Sequence, residues 1–230
     1  MKEHFIDNNG VSIHALELND SCDGIPVVIV PGMGNAAENI AENIGALLTR
    51  RTIILSLRGR GMSDSPQTGW GLEDQASDIA TAVEHFGFSR IALFGHSTGA
   101  SIAARSIPMI SADIVAFIIG DFPPFYPAYS ESWAARVKKM ELPITDIALT
   151  GIVRDARQTD VSDYLHSVDN LFAITGDLDM SLLKANDIAR LEQMFPLIKI
   201  ERLNRCSHEF LSDDPLRSIA AIEKFIAFAD

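Results

Sequence analysis

Short apolar runs alternate with amphipathic segments along almost the whole chain. The apolar runs predict buried strands near residues 27–30, 52–57, 90–94, 114–119, 171–175 and 197–203. Helical periodicity lies between and after them, near residues 36–49, 72–86, 98–107, 181–194 and 215–229. Strands that alternate with helices predict an α/β fold, with a mostly parallel central sheet and helices on both of its faces.

The alternation is interrupted between about residues 122 and 170. Three prolines within residues 123–127 exclude regular structure at the start of this stretch, and helical fragments follow near 130–141 and 144–155. We therefore expect one α/β domain over residues 1–230, with 122–170 as a small lid inserted into it. Its aromatic side chains either line a substrate pocket or simply pack the insertion onto the sheet; they are Phe122, Phe125, Tyr126 and Trp133.

The segment Gly95-His96-Ser97-Thr98-Gly99 lies between an apolar run and an alanine-rich helical stretch. A G-x-S-x-G pattern at a strand-to-helix turn is typical of a nucleophile elbow, in which a tight turn exposes the serine hydroxyl. The serine then lies at a helix N-terminus, where developing negative charge is favoured. Ser97 is thus a candidate nucleophile, and the alternative is an ordinary turn with a Ser or Thr N-cap.

A serine nucleophile needs a base, and the base needs an acid to orient it. Downstream of Ser97 the histidines are His166 and His208. His208 follows an apolar run and precedes the last helix, so it is expected on a loop at the carboxyl end of a strand, where open α/β sheets place their sites. His166 lies in a polar, helical stretch with no strand before it. We therefore predict His208 as the base.

Three aspartates compete for the role of the acid. Asp177 and Asp179 follow the apolar run that ends at Gly176, and Asp121 follows the run that ends at Gly120. Only one of them can face the histidine. Asp179 is the first choice, Asp177 the second and Asp121 the third. An aspartate that does not face the histidine would serve in a turn or as a helix N-cap, and Asp177 and Asp179 both suit that role.

Five segments in chain order resemble those of the α/β-hydrolase-fold serine hydrolases of the esterase and lipase type. They are a first hairpin at 9–14, a strand and oxyanion loop at 27–34, a D-x-R-G-x-G-x-S-like block at 56–64, an acid segment at 176–179 and a histidine segment at 207–215. The resemblance implies an α/β-hydrolase fold and an oxyanion hole formed by the N–H groups of Met33 and Thr98. Pro31 and Ser56 depart from the family pattern, where His and Asp are usual, but neither departure removes a catalytic role.

The resemblance implies a carboxylesterase-like enzyme that cleaves a small ester, lactone or thioester through an acyl-enzyme intermediate. One alternative keeps the fold as a ligand-binding protein without catalysis. Another is an NADP-binding oxidoreductase, because Gly32-Met33-Gly34 begins a G-x-G-x-x-A pattern after a strand. The next strand lacks the acid that binds a ribose, although Arg58 would suit a 2′-phosphate.

Charge and composition limit the classes of partner that the chain is expected to bind. The net charge of −12 argues against nucleic acid and against a polybasic membrane anchor. The chain has no apolar run long enough for a membrane span, and its two cysteines make no disulfide framework. No secretory leader is expected, because Met1-Lys2-Glu3-His4 is not followed by the apolar segment of one. His208-Glu209 begins an H-E-x-x-H pattern, but position 212 is serine. We expect a cytoplasmic enzyme with a small-molecule substrate and neither a cofactor nor a metal.

Overall fold

The computed structural model describes residues 1–177 and 179–229. The strands are β1 (Lys2–Asn8), β2 (Val11–Leu18), β3 (Val27–Val30), β4 (Thr52–Ser56), β5 (Arg90–His96), β6 (Asp113–Gly120), β7 (Phe125–Tyr126), β8 (Thr159–Asp160), β9 (Leu171–Gly176) and β10 (Lys199–Leu203). The α-helices are α1 (Ala37–Ile44), α2 (Leu72–Phe86), α3 (Thr98–Ser106), α4 (Glu131–Lys138), α5 (Asp146–Asp155), α6 (Ser162–Leu165), α7 (Ala185–Met194), α8 (Phe210–Asp213) and α9 (Pro215–Ala227).

Eight strands form one sheet in the order β1-β2-β4-β3-β5-β6-β9-β10. β1 and β2 form an antiparallel hairpin, and β2 pairs antiparallel with β4. The remaining pairs in this sheet are parallel. The hairpin turn fits its sequence, because Asn9 and Gly10 both adopt the positive φ that a tight two-residue turn requires, 53° and 85°.

The sheet is covered on both faces, as the alternation of strands and helices predicts. Along β3, Val28 belongs to one hydrophobic cluster and Ile29 to the other, because successive strand residues point to opposite faces. The first cluster includes Ile79 of α2, and the second includes Phe225 of α9. Because β3, β5, β6, β9 and β10 are parallel, their carboxyl ends lie along one edge of the sheet.

Two predicted helices are shorter than the sequence pattern suggests. The helix expected over 36–49 ends at Ile44 and continues as a 3₁₀ turn over Gly45–Leu47. The helix expected over 181–194 begins only at Ala185. The residues before it are not helical, because the N–H groups of Leu182 and Leu183 donate instead to the carboxylate of Asp121, at 2.8 and 3.2 Å.

The β6–β9 segment, residues 121–170, carries β7, β8 and helices α4 to α6. It is held on the loop that follows β4 by two backbone hydrogen bonds: Gly61 donates to Pro143 at 2.9 Å, and Thr145 donates to Gly59 at 3.0 Å. Helix α5 approaches the same loop closely, since a Cβ on Gly151 would lie 2.1 Å from Cδ1 of Trp70. The function of this segment as a lid stays a prediction.

A buried ion pair fixes the loop after β4. The guanidinium of Arg58 contacts the carboxylate of Asp78 on α2, with Nη2 to Oδ1 at 2.6 Å and Nε to Oδ2 at 2.9 Å. Both side chains are buried, and Arg58 also donates to the Gly69 carbonyl at 2.7 Å. Arg58 is therefore engaged inside the fold and does not offer a free cation to a nucleotide 2′-phosphate.

We expect Asp78→Ala to lower the free energy of unfolding by about 3–5 kcal/mol, because it leaves the Arg58 charge buried without its partner. Urea unfolding followed by circular dichroism measures the change. Asp146→Ala is the matched control: it breaks an exposed pair with Lys138 and should cost less than about 1 kcal/mol. Equal unfolding midpoints for the two variants would contradict a structural role for the Arg58–Asp78 pair.

Candidate active site

Ser97 occupies a strained turn between β5 and α3. Its backbone has φ 55° and ψ −138°, a conformation that residues other than glycine adopt at a cost of about 1–3 kcal/mol. The turn is fixed from both sides, since Ser97 N–H donates to Gly120 O at 2.7 Å and Ser97 O accepts from Ala100 N–H at 2.9 Å. The sequence pattern of a nucleophile elbow is thus matched by the backbone geometry.

The two glycines of the pattern are required by close backbone contacts. A Cβ on Gly99 would lie 2.3 Å from the carbonyl oxygen of Val30, and one on Gly95 would lie 2.4 Å from Cα of Ala100. No side chain fits at such distances. The start of α3 can therefore pack directly against the ends of β3 and β5, which sets the orientation of Ser97.

His208 lies after β10, and its imidazole is bonded to a buried carboxylate. Nδ1 of His208 lies 2.8 Å from Oδ2 of Asp121, the first residue after β6. Asp121 is fully buried and His208 is mostly buried. A proton on Nδ1 that is held by a carboxylate leaves Nε2 unprotonated, which is the tautomer that a general base requires.

Asp121 receives several further hydrogen bonds. Its other partners are the hydroxyls of Thr175 at 2.7 Å and of Ser181, and the N–H groups of Leu182 at 2.8 Å and Leu183 at 3.2 Å. Burial acts to raise the pKa of Asp121, but the hydrogen bonds from His208, Ser181, Leu182 and Thr175 outweigh it and hold the pKa below its ordinary value. The carboxylate is therefore ionised at neutral pH and fixed in one orientation.

The structure brings Asp121, not Asp179, to His208. Asp179, the first choice from the sequence, is exposed, and its carbonyl accepts from Nζ of Lys184 at 2.6 Å. Asp177 is exposed too, and its carboxylate accepts from the Arg205 N–H at 2.5 Å. The reason is the path of the chain after β9. The Ser181 hydroxyl and the N–H groups of Leu182 and Leu183 donate to the carboxylate of Asp121, which follows β6.

His96, next to the nucleophile, supports the loop that carries His208. The two rings stack with centroids 4.9 Å apart, and Nε2–H of His96 donates to the carbonyl of His208 at 2.9 Å. His96 is buried, and burial together with the nearby His208 lowers its pKa. This hydrogen bond gives His96 a structural role, and it is made to the predicted base itself.

Ser97 and His208 are brought to the same end of the sheet without a direct bond between them. Within residues 1–177 and 179–229, no hydrogen bond joins Ser97 Oγ to the His208 ring, although His96 connects the two residues by peptide bond and by ring stacking. In unliganded enzymes this bond is often long and shortens when substrate binds.

The loop after β3 packs against Ser97. A Cβ on Gly32 would lie 2.8 Å from Cβ of Ser97, and one on Gly34 would lie 2.4 Å from Cδ1 of Leu142. This brings the backbone at Met33 alongside Ser97, while the Thr98 N–H lies in the first turn of α3, where no intrahelical acceptor is available. The space that a pyrophosphate would need over Gly32 and Gly34 is filled by Ser97 and Leu142, which disfavours the NADP-binding alternative.

Sequence reasoning missed one charged residue beside this loop. Arg60 is 1% exposed, and it donates to the Met33 carbonyl at 3.3 Å and to the Arg58 carbonyl at 2.7 Å. Burial lowers its pKa, and Tyr126 and Tyr129 act in the opposite direction. An arginine in the R-G-x-G block gives no sequence signal of burial, because arginines are usually exposed.

The predicted aromatic lining divides into two pairs. Phe122 and Tyr126 belong to the hydrophobic core, and the Tyr126 hydroxyl accepts from Nε2 of Gln75 at 2.8 Å. Phe125 and Trp133 are only partly buried. Tyr129, which the sequence did not single out, lies with its ring centroid 4.2 Å from that of Trp133.

The described part of the chain contains no group of three or more His, Cys, Asp or Glu side chains that could hold a metal ion. Among the same residues, no helix is long and apolar enough to cross a membrane. Cys22 and Cys206 are both free thiols, the first exposed and the second buried.

Comparison with known proteins identifies the fold. Residues 25–106 match a family model described as alpha/beta hydrolase fold, and a solved esterase, RhEst1 from Rhodococcus sp. ECU1013, aligns with a TM-score of 0.81 at 17% identity over 100% of this chain and 99% of that one. The chain has the α/β-hydrolase fold. A solved E-2-(acetamidomethylene)succinate hydrolase is similar, with a TM-score of 0.79 and 17% identity over 98% of this chain and 99% of that one.

Curated α/β-hydrolase relatives differ in how much of their length is matched. N-formylmaleamate deformylase of Pseudomonas putida is 23% identical over 96% of this chain and 95% of that protein. A soluble epoxide hydrolase of Corynebacterium sp. (strain C12) is 31% identical, but over only 41% of this chain and 32% of that protein. The comparisons support a hydrolase of the α/β-hydrolase fold and do not decide which bond it cleaves.

The lowered pKa of Asp121 predicts how stability depends on pH. The pKa of Asp121 is lower in the folded protein than the value of about 4 in the unfolded chain, so the ionised carboxylate stabilises the folded state. This stabilisation is complete above about pH 4 and is lost as the pH falls through the pKa of the folded protein. Below about pH 4, the urea midpoint of the wild type should fall more steeply than that of Asp121→Asn, which cannot titrate at this position. Parallel slopes would be inconsistent with a carboxylate held in this way.

Proposed function

We propose that this protein is a serine hydrolase that cleaves a small carboxylic ester, or a lactone or thioester, through an acyl-enzyme intermediate. The observation that carries the proposal is the 2.8 Å contact between His208 and the buried Asp121, at the sheet edge where the strained Ser97 turn lies. A buried carboxylate, an imidazole and a serine at a nucleophile elbow are the parts of a catalytic triad.

In the proposed reaction, Oγ of Ser97 attacks the carbonyl carbon of the substrate while Nε2 of His208 accepts the hydroxyl proton. Asp121 keeps the imidazole in the required tautomer and stabilises the imidazolium that forms. His208 then donates the proton to the leaving alcohol, and the C–O bond to the alcohol breaks. A water molecule, deprotonated by His208, attacks the acyl-enzyme and releases the carboxylic acid.

The negative charge that develops on the carbonyl oxygen needs donors that are already in place. We assign this role to the N–H groups of Met33 and Thr98, on either side of the contact between Gly32 and Ser97. Loss of one such donor typically lowers the rate by about a hundredfold or more. The positive end of α3 adds to this stabilisation, because Thr98 is the first residue of that helix.

The ester class is favoured by several structurally similar esterases, including EaEST from Exiguobacterium antarcticum, with a TM-score of 0.79 and 16% identity over 98% of this chain and 100% of that one. Of the predicted pocket residues, Phe125 and Trp133 are the better candidates for substrate contact, because they are partly exposed. Phe122 and Tyr126 would shape the pocket from the core beneath.

One observation favours a second candidate, a ligand-binding protein of the same fold without catalysis. It is the absence, within the described residues, of a hydrogen bond between Ser97 Oγ and His208. The reactivity of the Ser97 hydroxyl distinguishes the two functions. A serine hydroxyl that no base activates is a poor nucleophile and does not react with an electrophilic probe.

A fluorophosphonate probe should label the native protein stoichiometrically, and peptide mass spectrometry should locate the label on Ser97. Ser97→Ala should show no label, and Ser101→Ala, on the buried side of α3, should retain it. Absence of labelling on the folded wild-type protein would favour the ligand-binding alternative.

Asp121→Asn should lower kcat/KM for 4-nitrophenyl acetate by about 10⁴-fold, because an amide stabilises the wrong imidazole tautomer. Asp179→Asn is the matched control, and its kcat/KM should stay within about twofold of wild type, as for an exposed side chain outside the site. The reverse order of effects would restore Asp179 as the acid. Steady-state kinetics by absorbance measures both variants.

A further inference from the structure

Arg60 is buried, and no carboxylate of the described residues forms a direct ion pair with it; Asp78, which also stabilises its charge, is already paired with Arg58. Its guanidinium has five N–H donors, of which three reach acceptors: the carbonyl of Met33, the carbonyl of Arg58 and, at 2.7 Å, the thioether sulfur of Met33. A thioether is a weak acceptor. Arg58, two residues earlier, is buried against a carboxylate, as buried charges usually are.

Two buried hydroxyls lie on the Tyr129 side of Arg60. Thr98 Oγ1 and Tyr129 OH neighbour each other, and neither forms a hydrogen bond of standard geometry to any other group in the described part of the chain. Burial raises the pKa of Tyr129, while the charge of Arg60 and the neighbouring Thr98 hydroxyl act to lower it, so the three groups lie close enough to interact. Native proteins leave few buried polar side chains unpaired, so each such group calls for an explanation, and a bound polar ligand is one.

This polar cluster adjoins the proposed oxyanion hole on both sides. Arg60 contacts the carbonyl and the side chain of Met33, one proposed oxyanion donor, and Thr98 is the other donor. A substrate whose carbonyl carbon is at Ser97 could therefore place a group a few bonds away against Arg60. That group must accept hydrogen bonds and carry negative charge if it is to neutralise the guanidinium.

We propose that the substrate carries a carboxylate, which binds Arg60 together with the hydroxyls of Tyr129 and Thr98. This inference rests on the proposed function. A planar carboxylate matches the fork of a guanidinium and accepts two parallel hydrogen bonds from it. Hydroxyl donors at Tyr129 and Thr98 would satisfy the remaining oxygen lone pairs, and the substrate carboxylate would supply the ion pair that Arg60 lacks.

A pair of nearly isosteric esters tests the charge requirement: monoethyl succinate, which carries a carboxylate, and ethyl 4-methylpentanoate, in which an isopropyl group replaces it. Hydrolysis is followed by pH-stat titration. Wild type should prefer monoethyl succinate by about 10- to 100-fold in kcat/KM, the range expected for a buried hydrogen bond to a charged group. Equal values of kcat/KM would overturn the proposal.

Variants at position 60 test the assignment through the ratio of the two kcat/KM values, which is independent of the fraction of folded enzyme. Arg60→Met should reduce the ratio to about 1. Arg60→Lys should keep part of it, because lysine retains the charge without the planar fork. Arg202→Met, at an exposed position on β10, should keep the full ratio. A full ratio in Arg60→Met would overturn the assignment.

A binding measurement separates this inference from the proposed catalysis. Isothermal titration of Ser97→Ala with monoethyl succinate should show saturable binding that Arg60→Met in the same background weakens at least tenfold. If Ser97 is not reactive but this Arg60-dependent binding is found, the catalytic proposal fails and the carboxylate site stands. If Ser97 is reactive but Arg60→Met does not weaken the binding of monoethyl succinate, the carboxylate site is wrong and the catalytic proposal stands.

Discussion

The arrangement of the site depends on one buried carboxylate. Asp121 is fully buried, yet its pKa is held below the ordinary value because an imidazole, hydroxyls and N–H groups donate to it together. These donors come from β9, from the loop before α7 and from the loop after β10. Asp121 thus determines where α7 begins and how His208 is oriented, so that local structure and site geometry have the same physical cause.

The parallel sheet makes this convergence possible. The carboxyl ends of β3, β5 and β6 lie side by side, and each is followed by one part of the proposed site: the Met33 loop, Ser97 and Asp121. Close packing at glycines allows the first two to touch. His96 then connects β5 with the His208 loop by stacking and by a hydrogen bond. The overall negative charge of the chain does not conflict with the proposed carboxylate site, since a buried guanidinium acts at short range where solvent does not screen it.

Local patterns in the sequence were sufficient to predict the fold, the Ser97 turn and the position of His208 after a strand. Each of these depends on residues adjacent in the chain: apolar runs, two glycines, and a histidine after a strand. The carboxylate that contacts His208 could not be chosen in the same way, because it depends on which loop approaches His208 in the folded chain. Asp121 and Asp179 look alike in sequence, and only the path after β9 separates them. Arg60 was missed because burial of an arginine depends on the β6–β9 segment that covers it.

A crystal structure of the protein after reaction with a phosphonate ester tests the central claim most directly. The account predicts phosphorus bonded to Ser97 Oγ, a phosphonyl oxygen within hydrogen-bond distance of the Met33 and Thr98 N–H groups, and His208 between the adduct and Asp121. A phosphonate bonded elsewhere, or an imidazole that turns from Asp121 to Asp179 in the adduct, would contradict it.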